Sequence, residues 1–294
     1  MKKGLMIFLF KVLILSSLNI NAQKIKELKL LEIKQLTNYK DRFDLSGISN
    51  YKNDFVVVGD KFENKFIYTV VQKENNFELI SSYPLSIEGK LDLEGISVYD
   101  QKAYLINEAN NEVYVYDFDN HTTTMLPIDW SNLSLPKDEW LKNTGFEGVA
   151  VDHKSNLLYL AKERQPSFIL VVDLLTNKII KEINIKKSCS KDISDICLYN
   201  GDLFILERNA QCIGQYSLSL NKIVRHYSYK KSVIIDGEKL YEPEKYGMAE
   251  ALLIKDGSLW LGFDNNGVNT SKNATQKYGI NGTKPVILKF EFNL

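Results

Sequence analysis

The sequence predicts an all-β chain in which one four-stranded unit is repeated five times and closed into a ring. Three observations carry this. The stretch Gly145 to Pro166 reads as two short apolar strands joined by the polar turn His153–Asn156, which is the pattern of a β-hairpin. Nearly the same stretch begins again at Leu45, Leu93, Ile193 and Ala249. The last copy lacks a fourth strand, while an unmatched alternating segment, Lys24 to Thr37, stands at the other end of the chain.

Each repeat resolves into strands a to d. The first has Leu45–Ser49, Phe55–Val58, Phe66–Val71 and Phe77–Tyr83, and the second Gly95–Val98, Ala103–Ile106, Val113–Tyr116 and Thr123–Leu126. The third has Gly148–Val151, Leu157–Ala161, Phe168–Val172 and Ile179–Ile185, and the fourth Ile196–Leu198, Leu203–Leu206, Ile213–Ser217 and Ile223–Tyr229. The fifth has only Ala251–Ile254, Leu259–Gly262 and Val286–Phe290. Four short strands at a period of roughly 50 residues predict a five-bladed β-propeller. The N-terminal strand would close the last blade. Six blades are the alternative, but a sixth hairpin is not found. Three connections are long: Pro127–Thr144, Lys230–Gly247 and Asn265–Lys284. In this topology all three emerge on one face, and long loops in compact domains are often functional.

At 294 residues and 44% hydrophobic content, the chain can build a full core without covalent help. Residues 1–22 read as a secretory leader: Lys2 and Lys3, an apolar run from Leu5 to Leu18 broken by Lys11, then Asn19 to Ala22. That predicts a periplasmic or secreted protein with one domain over residues 23–294 and no membrane span after the leader is removed. Loss of the three leader lysines takes 37 basic residues to 34, against 37 acidic. This balance excludes nucleic acid as an expected partner and gives no basic patch for a membrane surface. Cys189, Cys197 and Cys212 allow one bridge with one thiol left over, and no histidine near them completes a zinc site.

The chemistry lies in the hairpins. Strand a is innermost in a propeller blade, and its first residues are Ser46, Glu94, Glu147, Ser194 or Asp195, and Glu250. Strand b returns to the same face and ends at Asp60, Glu108, Glu163, Glu207 and Asp264, acidic in every repeat. An inner group of carboxylates inside an outer ring of carboxylates is the functional signal. Such a group needs compensation, because each uncompensated buried charge costs several kcal/mol. A hard divalent cation, calcium, would take about six to eight oxygen ligands, with Glu94, Glu147, Glu250 and Asp195 as the metal set. Shared protons with raised pKa are a second remedy. Pairing with the adjacent Lys61, Lys162, Arg164 and Arg208 is the third. The outer acids, with Lys61, Arg164 and Arg208, form the expected ligand-binding rim. No Gly-x-Ser-x-Gly elbow occurs, and His121, His153 and His226 fall in turns or on an outer strand, so a serine hydrolase is not expected.

These motifs resemble the SdiA-regulated family of exported bacterial β-propellers. The resemblance rests on Leu45–Ile48, Glu94–Ile96, the run Asn143 to Ala150 with Lys162-Glu163-Arg164, and Ala249–Ala251. More distantly, Gly145-Phe146-Glu147-Gly148 is similar to an element of the esterase-like phytase propellers. The resemblance implies a propeller and is compatible with a central calcium, but names no substrate. Two functions stay open at this point. One is a binding module with a structural calcium that captures a small molecule or a cell-surface ligand. The other is a metal-dependent hydrolase of an ester, lactone or phosphate ester, with Glu163 or Glu108 as base and Arg164, Arg208 and Lys61 holding an anionic group.

Overall fold

A computed structural model of the chain describes residues 25–39, 42–61, 64–240, 249–264, 270–281 and 284–294. The expected leader, residues 1–22, lies outside the described residues, as do parts of the second and third long connections.

The N-terminal segment forms two strands where one was expected, β1 (Lys26–Glu27) and β2 (Lys29–Thr37). Four-stranded antiparallel runs follow. The first is β3 (Leu45–Tyr51), β4 (Asp54–Gly59), β5 (Phe66–Gln72) and β6 (Asn76–Pro84). The second is β7 (Leu93–Tyr99), β8 (Lys102–Asn107), β9 (Glu112–Asp117) and β10 (Thr122–Met125). The third is β11 (Phe146–Asp152), β12 (Leu157–Lys162), β13 (Phe168–Asp173) and β14 (Lys178–Ile183). The fourth is β15 (Asp195–Tyr199), β16 (Asp202–Glu207), β17 (Cys212–Ser217) and β18 (Lys222–Ser228). A small hairpin, β19 (Ile234–Ile235) and β20 (Glu238–Lys239), precedes β21 (Ala249–Lys255) and β22 (Ser258–Phe263). The third long connection contains a helix not foreseen from sequence, α1 (Lys272–Tyr278), capped by the Ser271 hydroxyl and closed by Gly279 in the left-handed region. The chain ends on β23 (Val286–Glu291).

The orphan strand closes the ring as its pattern predicts. β2 pairs antiparallel with β23, from Lys29 opposite Glu291 to Gln35 opposite Val286, and so supplies the fourth strand of the last run. Its end also pairs parallel with β6, through Gln35, Leu36 and Thr37. β1 lies parallel to β18 and extends the fourth run instead.

The second strand of each run is an uninterrupted apolar stretch because both of its faces are buried. In β4, Phe55 and Val57 enter the cluster shared with Trp260 and Ile287, while Val56 and Val58 enter the one shared with Leu93 and Leu105. β8 repeats this, with Ala103 and Leu105 on one side and Tyr104 and Ile106 on the other. β12 and β16 do the same in the next two interfaces. Each apolar cluster is thus a seam between consecutive sheets. The innermost strands meet in a closed cycle: β3 lies against β7, β7 against β11, β11 against β15, β15 against β21, and β21 against β3. At these meetings the backbones come close; a Cβ on Gly148 would meet the Ile196 nitrogen at 2.6 Å. No helix among the described residues is long and apolar enough to cross a membrane.

Cys189 and Cys212 are joined, with a Cα–Cα distance of 6.3 Å, and Cys197 is free and half-buried. The loop Ile128–Thr144 is packed by its tryptophans: Trp130 and Trp140 lie 5.8 and 5.0 Å from the Phe146 ring at the start of β11. Lys162, fully buried, sits 5.0 Å from the Trp140 ring centre and donates to the Arg164 carbonyl. It therefore ties this loop down through the Thr144 hydroxyl and the Arg164 carbonyl, and acts on Glu163 and Glu108 only through space.

Candidate functional site

A register slip places the inner residues. Pairing slips between Leu45 and Gly47, Leu93 and Ile96, Phe146 and Gly148, and Ala249 and Ala251. The residues left over are Ser46, Glu94 with Gly95, Glu147 and Glu250. An extra residue bends its strand and re-aims its side chain. Here it delivers the inner residues to a cavity of about 400 Å³ at the channel mouth, where Ser46, Glu94, Glu147 and Glu250 all line the wall.

Of the acids at the ends of the second strands, Asp60, Glu108, Glu163 and Asp264 reach the same cavity, together with Lys61, Arg164 and Arg208. Two expected residues are not brought there. Glu207 is wholly buried, and its carboxylate accepts from the Cys189 nitrogen at 3.0 Å and from the Ser190 nitrogen, so it anchors the loop carrying the disulfide. Asp195 stands where other repeats have Gly47, Gly95 and Gly148. Its two oxygens accept from the Ile196 and Leu252 nitrogens, each at 2.7 Å, which staples β15 to β21. Asp195 therefore leaves the expected metal set, and Glu207 leaves the expected ligand-binding rim. The inner serines staple too: Ser46 donates to the Leu93 carbonyl, and Ser194 to the Ala249 carbonyl at 3.0 Å.

Three cavity residues were not foreseen: Lys90, Asp92 and Asn143. Asp92 had a readable signal. It sits two residues before Glu94, and Asp44 and Asp192 sit two residues before Ser46 and Ser194.

The cavity carboxylates fall into two close groups. One oxygen from each of Asp60, Asp92 and Glu94 lies within 4.8 Å of the others, and the same holds for Glu108, Glu147 and Glu163. Glu250 belongs to neither. It is held by Arg208, which also reaches Glu163 at 2.6 Å and Asp192 at 3.5 Å. Arg164 pairs with Glu163 and donates to the Asn143 carbonyl at 3.1 Å. Lys61 bridges Asp60 at 2.7 Å and Asp44 at 3.0 Å. The cations expected to hold an anionic group are thus engaged by acids of the protein itself.

Burial dominates the electrostatics. Withdrawal from solvent pushes Asp60 up to about 6, with Lys61 opposing. It pushes Glu163 and Glu250 up to about 7 although Arg208 opposes in both cases, and Asp264 up to about 9. Glu94 and Glu147 are raised well above the usual carboxylate range by burial; beyond it, Glu147 is the leading neighbour acting on Glu94, while Arg208 opposes the rise in Glu147. Four buried oxygens of the cavity, Asp60 Oδ1, Glu163 Oε2, Glu250 Oε2 and Asp264 Oδ1, have no hydrogen-bond partner among the described residues. An array of hard carboxyl oxygens, with lone pairs to spare and protons that a cation would displace, fits a calcium-class cation. The two close groups are the residues that would hold it.

Repeated four-stranded sheets around an axis, with an acid-lined mouth, define a β-propeller. The sequence pattern of the SdiA-regulated family matches residues 23–226, and the chain belongs to that family. Among solved structures, it is similar to glutaminyl cyclase from Myxococcus xanthus, at 7% identity over 92% of this chain and 100% of that one, with a TM-score of 0.57. It is also similar to a chain of a nidogen/laminin complex, at 11% identity over 84% of this chain and 85% of that one, with a TM-score of 0.48. At such identities the likeness to the cyclase speaks for the fold alone. No curated protein matches by sequence.

Proposed function

We propose that the chain is an exported five-bladed β-propeller that holds a calcium ion at its channel mouth and uses that face to capture a small molecule or cell-surface ligand. The carrying observation is the pair of carboxylate triads in one cavity, each with its oxygens within 4.8 Å, beside buried oxygens that lack partners. The closed cycle of five inner strands supports the blade count. The leader pattern and the Cys189–Cys212 bridge support an oxidising compartment, periplasmic or secreted. Calorimetric titration of calcium into chelator-treated mature protein tests the site. Saturable binding that is weakened in both Glu94→Gln and Glu147→Gln supports it. No heat, together with no change in melting on adding calcium or chelator, removes the cation and leaves the ion-pair network as the whole explanation.

Metal-dependent hydrolysis of an ester, lactone or phosphate ester is the second reading. It is favoured by Glu163, whose carboxyl titrates near 7 and so suits acid–base work at neutral pH. The engagement of Arg164, Arg208 and Lys61 by protein carboxylates weighs against it. Turnover in an ester, lactone and phosphate-ester screen, abolished by Glu163→Gln with melting preserved, would move the assignment to an enzyme.

A further inference from the structure

Away from the channel mouth, the seam between the last and first sheets contains a hollow of different chemistry. β2 covers the outer edge of β6 only at Asn76, Phe77 and Glu78. Asn38 then takes a left-handed backbone, with φ at 68°, and its side-chain amide donates to the Leu79 carbonyl at 2.7 Å. The chain leaves the sheet there, and the edge of β6 beyond Leu79 is uncovered, with Ile80, Ser81 and Ser82 exposed. Between this edge, the start of β5 and the approach to β3 lies a hollow of about 500 Å³. That is within the range of small-ligand sites, roughly 300–1,000 Å³.

Four rings line it: Tyr39, Phe43, Phe66 and Tyr68. They support one another, with Phe43 edge-on to Tyr68 at 5.3 Å and Phe66 at 5.7 Å from Tyr68. The remaining polar lining is amide and hydroxyl, from Asn38, Asn64, Ser81 and Ser82, and no charged side chain lines the hollow among the described residues. Two of its polar atoms are buried without a partner among the described residues. Asn64 is 5% exposed and its amide nitrogen makes no hydrogen bond, and the Tyr39 hydroxyl is in the same position. Burial and the nearby Asp44 carboxylate push that hydroxyl up to about 12, so it stays a donor. Buried donors left unmade are costly, and a ligand oxygen would satisfy them.

The charges of the mouth and the rings, amides and hydroxyls that the described residues give this hollow call for different ligands. Aromatic faces receive flat, apolar C–H surfaces, while amides and hydroxyls pair with a ring of hydroxyl groups. We propose that the hollow lined by Tyr39, Phe43, Phe66, Tyr68 and Asn64 binds an uncharged saccharide. This site is separate from the cation site and does not depend on it.

An array of neutral and acidic oligosaccharides probed with the mature protein, followed by calorimetry on the hits, tests this. Neutral glycans are expected to bind with millimolar or better affinity. Phe66→Ala, which removes a half-exposed ring, is expected to weaken binding by about tenfold, the equivalent of one good contact. Ser82→Arg, at an exposed edge position, fills the hollow with charge and is expected to abolish it. Both variants should keep the wild-type melting point, which shows that they fold. Binding of acidic glycans alone, no binding of neutral glycans at millimolar concentration, or neutral binding that survives both substitutions overturns the proposal.

Discussion

The two sides of the channel mouth carry acids at the same repeat positions and hold them in opposite ways. On one side a single buried guanidinium, Arg208, gathers Glu163, Glu250 and Asp192, and loop amides take up Glu207. On the other side Asp60, Asp92 and Glu94 face one another, and their cations are more exposed: Lys61 is 33% exposed and Lys90 is 69% exposed. Exposed pairs contribute little, whereas breaking a buried one is expensive. The ring is therefore not uniform. One side is neutralised by a buried guanidinium, and the other only by lysines that reach solvent.

Removing the internal charge breaks this asymmetry most strongly. Arg208→Met leaves Glu163 and Glu250 without their shared guanidinium, and we expect it to cost about 3–5 kcal/mol, read as a lowered midpoint in urea unfolding. The Cys189–Cys212 bridge supports the same side by holding the loop whose amides cap Glu207. Cys189→Ala with Cys212→Ala should cost about 2–4 kcal/mol, with a matching fall of the midpoint under reductant in the wild type. Calcium should act at the two carboxylate groups, stabilising by about 2.7 kcal/mol at a hundredfold excess over its Kd. That shift should shrink in Glu94→Gln and persist in Arg225→Ala, a change far from the mouth.

Proton linkage is smaller and has a definite sign. In the chelated protein, carboxyls with an ordinary value of 4.5 titrate near 7 at Glu163 and Glu250. The folded state then holds protons that the unfolded state has released. Stability should be greatest below about pH 4.5 as far as these groups are concerned, and fall as pH rises to about 7. Calcium held by the second carboxylate group would displace the Glu163 proton but not that of Glu250, so melting curves with calcium should be somewhat flatter across this window. The smallest effect is Glu147→Gln in the chelated protein. It removes a buried carboxyl and its repulsion with Glu163, Glu250 and Glu108, and is expected to raise the melting point slightly, while reducing calcium affinity. A fall in chelated stability would show that Glu147 is already compensated and that the two sides are alike.

Much of this was legible because repetition carries it. The apolar run of β4, Phe55 to Val58, recurs in β8, β12, β16 and β22, and both-face burial explains why no polar residue interrupts it. The acids after those runs were found by the same repetition. Asp92 was overlooked because its neighbour Glu94 already filled the expected position, although Asp44 and Asp192 mark the same offset. Asp195 was misplaced for a geometric reason. In the fourth repeat Ser194 takes the inner position, as Ser46 does in the first, so Asp195 stands at the glycine position and turns to the Leu252 amide.

The sequence by itself determined that the ends of the hairpins bring Asp60, Glu108, Glu163 and Asp264 to one mouth, because alternation along a strand and the spacing of the hairpins are local properties of the chain. It also determined that β2 must close the ring, since one strand was missing at one end and spare at the other. Only the tertiary structure decided how each acid is compensated. Arg208 meets Glu163, 45 residues away, and Glu250, 42 residues away, in the two neighbouring runs, and charge pairing depends on distance in space, which neighbourhood in sequence does not fix.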